Sequence, residues 1–267
     1  MLNVALRVGA LPFHVGVASL CDRAPGLQVQ QLASAAALVF VHLRFVDHHQ
    51  EAIALAPMIV RYGAAAAFAG ALISTVQRDL RGFFRSTTIV HGGMVIAALG
   101  AASLHNYAAA LLVTVSAALG LGGLGLTIAA LEARGGPVVY THGGGRVHAF
   151  PRLALAFALF GGASVAMPGT VGFVADDLLL HVLWMESPVG TVAVILSSAM
   201  LAVSTLNAFA AVFLGRPSRF VAPDLLPRER LAVVALLAIL VLIGVLPGAL
   251  LYPADTFLEL PPAIAGR

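Results

Sequence analysis

Apolar residues run through the chain in long stretches, each closed by a short cluster rich in arginine, aspartate, glycine or proline. The stretches are much longer than the roughly 10 residues of a membrane β-strand, so the pattern predicts helices rather than a barrel. A membrane-crossing helix needs about 20 mostly apolar residues. By that measure spans are predicted at 2–20, 27–45, 55–76, 86–103, 107–132, 152–184, 188–214 and 231–252. The sixth is too long for one straight crossing and carries Pro168-Gly169 near its middle, which predicts two half-helices meeting at a break. Arg7, Pro12 and His14 interrupt the first. The expected fold class is all-α: a polytopic transmembrane helix bundle of about eight spans with a proline-broken sixth span, forming a single transmembrane domain over 1–267.

Arginine placement tests this map. Between odd- and even-numbered spans lie Arg23, then Arg78, Arg81 and Arg85, then Arg134, Arg146 and Arg152, then Arg216, Arg219, Arg228 and Arg230. The opposite side holds only Arg44 and Arg267, and Arg7 and Arg61 fall inside spans. The positive-inside rule places the arginine-rich loops in the cytoplasm and both termini outside. No basic leader precedes the weak first span. A marginal helix with Arg7 near its middle is easier to understand behind earlier helices, so the chain is expected to be the C-terminal part of a longer ancestor or to have a mis-set start.

Composition strengthens this reading. Of 267 residues 60% are hydrophobic and only 10% charged, with a mean hydropathy of +0.97. A soluble domain carries roughly 25% charged residues, so this chain cannot cover itself with a surface compatible with water and belongs in the cell membrane. The sole cysteine, Cys21, excludes disulfides, iron–sulfur clusters and thiolate zinc sites within the chain. No redox or hydrolytic site, metal site or cofactor is expected. The sequence pI near 9.6 invites a nucleic-acid reading. Topology explains the arginines better, so the expected surroundings are a lipid bilayer and no nucleic acid. All 15 basic residues are arginine, and lysine, the cation that most readily loses its proton when buried, is absent.

Three motifs mislead. GLGGLG at 120–125 fits a dinucleotide fingerprint by letter, but it sits inside a span, where small residues let helices approach closely. THGGGRVH at 141–148 lacks the ending of a phosphate loop and reads as a flexible cytoplasmic loop. DHHQE at 47–51 reads as an exposed polar turn. Asp79, between Arg78 and Arg81, reads as a solvated pairing.

The stretch AMPGTVGFVADD at 166–177 carries the chemistry. Ionisable groups inside membrane helices are costly and usually face a wet cavity or one another. Asp176 and Asp177 follow the Pro168-Gly169 break by two turns, and His181 lies four residues beyond Asp177, on the same helix face. A broken helix frees backbone groups that recruit water, and carboxylate, imidazole and water together pass a proton stepwise. The competing reading is an inert, hydrated outer interface. Arg7, His14 and His91 are the other buried polar candidates: a fixed positive charge, a lining residue of the break at Pro12, and a relay or hydrogen-bonding glue.

Several blocks resemble, in order, the antiporter-like membrane subunits of NADH:quinone oxidoreductase (complex I), a family shared with Mrp-type cation/proton antiporters. They are LPFHVGVASLCDRAP (11–25), RDLRGFFRSTTIVHGG (78–93), FPRLALAFALFGGASVAMPGTVGFVADDLLL (150–180), LNAFAAVFLGRP and DLLPRERLAVVALLAILVLIGVLPGALL. The resemblance runs nearly end to end but covers only the second half of a full-length member. It implies that Asp176 takes the place of the ionisable residue in the broken twelfth helix, Arg7 that of the seventh-helix lysine, and His91 that of a family histidine. The eighth-helix lysine or histidine falls in the region Ala33 to Ala37, and a tenth- or eleventh-helix histidine near Ala117, neither titratable.

Two functions follow from the resemblance. The chain is a membrane subunit, truncated or split, of a complex I-like or Mrp-like proton- or cation-translocating assembly, with other membrane subunits of that assembly as partners. Alternatively it is a non-conducting structural or assembly subunit that has lost the relay. An unrelated secondary transporter would instead need an inverted repeat containing both proline breaks.

Overall fold

The computed structural model describes residues 2–25, 37–42, 54–102, 107–140, 144–216 and 222–248. Helices dominate, and among the described residues the only strand-like pairing is an isolated bridge between Asp79 and Val139. The first predicted span is two pieces, α1 (Leu2–Val8) and α2 (Val15–Arg23). Residues 37–42 are helical. There follow α3 (Ala56–Thr75), α4 (Leu80–Ala102) and α5 (Tyr107–Gly135). The long sixth span is α6 (Pro151–Ala163) and α7 (Val171–Glu186), and α8 (Pro188–Phe213) and α9 (Pro227–Val245) are the last helices among the described residues. The α3 and α8 helices, and α5 from Ala108, are each long and apolar enough to cross a membrane.

Proline sets many of the helix starts. Pro57, Pro151, Pro188 and Pro227 each occupy the first turn, where a missing N–H removes nothing the helix would use. The fourth span begins at Leu80, six residues before its predicted start. The carboxylate of Asp79 accepts the Gly82 N–H at 3.0 Å, so this aspartate caps the new helix and is not a solvated partner of its neighbouring arginines.

Small residues bring α3 and α4 into backbone contact. A Cβ at Gly63 would collide with the backbone of Ala97, and one at Gly93 with the backbone of Ala67. Gly70 and Gly100 repeat this seven residues on, against Val90 and Val60. Without a hydrophobic drive between helices in lipid, such close dispersion contact is what holds them together. In the GLGGLG segment of α5, Gly123 accepts the Phe160 ring edge-on and Gly125 abuts Phe84 and the Pro25 carbonyl. Phe157 on α6 stands between Phe83 of α4, at 6.3 Å, and Phe213 of α8, at 5.5 Å, and fixes the first half of the broken span.

The arginine-rich helix ends gather at one end of the bundle. Arg81 grips Glu132 through Nε, at 3.0 and 2.9 Å, and donates to the Asp22 carbonyl at 2.6 Å, tying α4 to α5 and α2. Arg85 pairs with the Asp22 carboxylate at 3.2 Å. Arg134 pairs with Glu229 at 2.5 Å and donates to the Pro223 carbonyl, tying α5 to α9. The loop at Gly144–His148 is not loose. Gly145 donates to the Leu214 carbonyl at 2.7 Å and Arg146 is buried, so it is packed under the end of α8. DHHQE and His142 lie outside the described residues.

Candidate functional site

The break between α6 and α7 is a built feature. Ala166 and Gly169 both take positive φ, at 59° and 85°, a conformation that interrupts a helix. The Thr170 hydroxyl donates back to the Met167 carbonyl at 2.7 Å, closing the turn that Pro168 opens. Two glycines let neighbours come close. A Cβ at Gly172 would strike the carbonyl of Ala163, where the half-helices overlap, and one at Gly244 of α9 would strike the backbone of Thr170 and Val171.

From the opposite side, α4 supplies His91, only 6% exposed. Its Nδ1 lies 2.9 Å from the Thr87 carbonyl, and the ring also hydrogen-bonds the Ser164 carbonyl at the end of α6. Two carbonyl acceptors thus meet one imidazole, which in its neutral form has a single N–H to give. The next residue, Gly92, packs against Val8 and Ala10, where the first span breaks. The segment His91-Gly92 therefore touches both interrupted helices. At the first break the Tyr62 hydroxyl of α3 donates to the Leu11 carbonyl at 2.5 Å, and Nδ1 of half-buried His14 lies 3.2 Å from the Pro12 carbonyl.

Asp176 is half-buried on α7 and faces Ser198 of α8. Asp177 and His181 share a face, as their spacing requires, but that face is exposed and turned away from Asp176. Arg7 is also on an exposed face of the chain. The structure thus brings His91 to the break and Asp176 to α8, two turns beyond it, and leaves Asp177, His181 and Arg7 outside that region. Sequence reasoning missed Ser164, Ser198, Tyr62 and Gly244. Only Tyr62, a lone hydroxyl-bearing aromatic in an apolar span, carried a local signal. Among the described residues no three His, Cys, Asp or Glu side chains converge to hold a metal ion.

The sequence pattern of the family described as "NADH:quinone oxidoreductase/Mrp antiporter, TM" matches residues 1–203. The chain belongs to that family. It is 29% identical over 272 residues to the NADH-quinone oxidoreductase subunit N of Halorhodospira halophila, covering 94% of this chain and 54% of that protein. Among solved structures, a chain of respiratory complex I from Thermus thermophilus with bound NADH superposes with a TM-score of 0.82 at 23% identity, over 93% of this chain and 54% of that one. A chain of the Mrp complex from Dietzia sp. DQ12-45-1b gives 0.78 at 16% identity, over 94% and 56%. These two likenesses establish the fold, a polytopic helical bundle, and membership of a family described as transmembrane places the chain in a membrane. The chain spans about half the length of these relatives.

Proposed function

We propose that this chain is an antiporter-like subunit, matching the second half of a full-length member, that carries protons or cations within a complex I-like or Mrp-like membrane assembly. Its partners are the other membrane subunits of that assembly, and its arginine-rich end faces the cytoplasm. The observation that carries the reading is the clasp of His91 on the carbonyl at the α6–α7 break, with Gly92 seated on the first break. A ring that takes up a second proton donates to both carbonyls, and a neutral ring to only one. Proton occupancy at His91 is thereby tied to how firmly the break is held. Asp176 is the terminal proton site, on the half-helix that begins at the break and facing Ser198. His14 lines the first break, and Arg7 contributes fixed charge, since a guanidinium does not release its proton. Asp177 and His181, on the exposed face of α7, stand apart from this path. Electron transfer belongs to partner subunits. Asp176→Asn, made in the native assembly, is expected to abolish ion pumping with assembly intact; unchanged pumping overturns the role given to Asp176.

A second reading has its own support. Arg7 stands where the resemblance expects a lysine, and Ala117 is a buried apolar residue where a histidine is expected. Both substitutions suit a scaffold that keeps the packing without the relay. Reconstituted vesicles separate the two: a pH gradient collapsed by the wild-type chain but not by Asp176→Asn supports transport, and partner binding without flux supports the scaffold.

A further inference from the structure

We propose that the groove between α6 and α9 binds an anionic glycerophospholipid, its phosphate held between Arg152 and Arg230 and an acyl chain laid along the apolar walls. The two arginines stand in the first turns of neighbouring helices, both exposed, and line one cavity of about 470 Å³. A second cavity, of about 190 Å³, shares both arginines and is walled by Leu155, Leu159, Val234 and Leu237. Polarity is therefore ordered along the groove, cationic at the helix starts and apolar below. That order matches an amphiphile with a negative head and a hydrocarbon tail. A free anion leaves the apolar wall unmatched, and an apolar helix leaves two guanidinium groups unmatched.

The nearby carboxylates are engaged elsewhere. Asp224 accepts the backbone N–H groups of Arg152 and Leu153, at 2.7 and 3.2 Å, which also removes the start of α6 as an anion site. Glu229 is held by Arg134 and by the Leu226 N–H. Among the described residues neither Arg152 nor Arg230 ion-pairs with a carboxylate. Guanidinium groups offer phosphate two parallel donors each. Basic pockets between membrane helices at the arginine-rich side are where anionic headgroups bind. The site depends only on the membrane setting and stands apart from any proton path.

The test is native mass spectrometry of the full chain in detergent, titrated with phosphatidylglycerol or phosphatidylcholine. Wild type is expected to retain phosphatidylglycerol in clear preference. Arg152→Gln combined with Arg230→Gln should weaken that binding by about thirty-fold, the weight of two arginine contacts. Arg216→Gln combined with Arg228→Gln removes the same charge outside the groove and should leave binding unchanged. Val234→Trp fills the groove at constant charge and should also reduce retention. Equal binding of the two lipids by wild type overturns the proposal, as does an equal loss in the Arg216/Arg228 control. Full displacement by inorganic phosphate with Val234→Trp silent reduces the site to a simple anion site and overturns it too. So does a co-purifying polypeptide seated on Val234 and Leu237 in place of lipid. The lipid comparison and the phosphate competition use wild type alone, so the proposal stays testable if a variant fails to fold.

Discussion

Removing Arg81 tests the packing of the arginine-rich end. The Glu132 side chain is 6% exposed, and its oxygens receive Arg81 Nε at 3.0 and 2.9 Å and a terminal nitrogen at 2.9 Å. Arg81→Ala leaves that carboxylate in place without its cation. Breaking a buried pair from one side costs about 3–5 kcal/mol. Arg81 is 36% exposed, so water screens part of the interaction and the lower end, about 3 kcal/mol, is expected. Glu132→Gln keeps the shape and removes the charge, and the freed guanidinium reaches water, so its cost is about 1 kcal/mol. Combining the two removes the stranded charge, and the double variant should be more stable than Arg81→Ala alone by about 1–2 kcal/mol. Unfolding midpoints of the four proteins in one fixed detergent give the cycle. An Arg81→Ala protein as stable as wild type, or a double variant less stable than Arg81→Ala, refutes the reasoning.

Three further outcomes are expected. Gly93→Ala forces α3 and α4 apart and should destabilise by about 1–3 kcal/mol, whereas Gly16→Ala, with open space around the new methyl, should be neutral or slightly stabilising in the same unfolding assay. His91→Leu takes the imidazole donor from the Ser164 carbonyl and loosens the break, so a cysteine at Thr170, in a Cys21→Ser background, should react faster with a maleimide than in the parent; equal rates refute the clasp. Glu229 precedes the apolar run of α9. Burial pushes its carboxyl up, but the hydrogen bonds from Arg134 and the Leu226 N–H, with the charges of Arg134 and Arg228, outweigh this and hold it below the usual glutamate range. A depressed carboxyl stabilises above its unfolded pKa and loses that contribution as pH falls through its folded pKa. Wild type should therefore lose stability below about pH 4.3 more steeply than Glu229→Gln, as read from midpoints against pH.

The sequence made the helices and the broken sixth span legible because both are local properties. Apolar length is read residue by residue, and Pro168-Gly169 interrupts a helix wherever it stands. The gathering of arginine-rich ends was legible for a related reason, since loop charge alternates with each crossing. What stayed hidden depends on contacts far apart in sequence. Arg81 finds Glu132 across 51 positions, not its neighbour Asp79, and His91 reaches Ser164 on a helix that follows two turns and a whole span later. The i, i+4 spacing placed Asp177 and His181 on one face of α7 correctly but cannot say which way that face turns. Gly244 shows the same limit. Nothing local distinguishes it from other glycines, yet only the absence of its side chain lets α9 lie against the break.

The central claim is that Asp176, on the second half of the broken span, gains and loses a proton. Infrared difference spectroscopy of the reconstituted chain across a pH titration reads this directly through the carboxylic acid C=O stretch. The account predicts a band that appears as pH falls, shifts when Ser198→Ala removes the hydroxyl facing it, and is missing in Asp176→Asn. A spectrum unchanged by Asp176→Asn contradicts it.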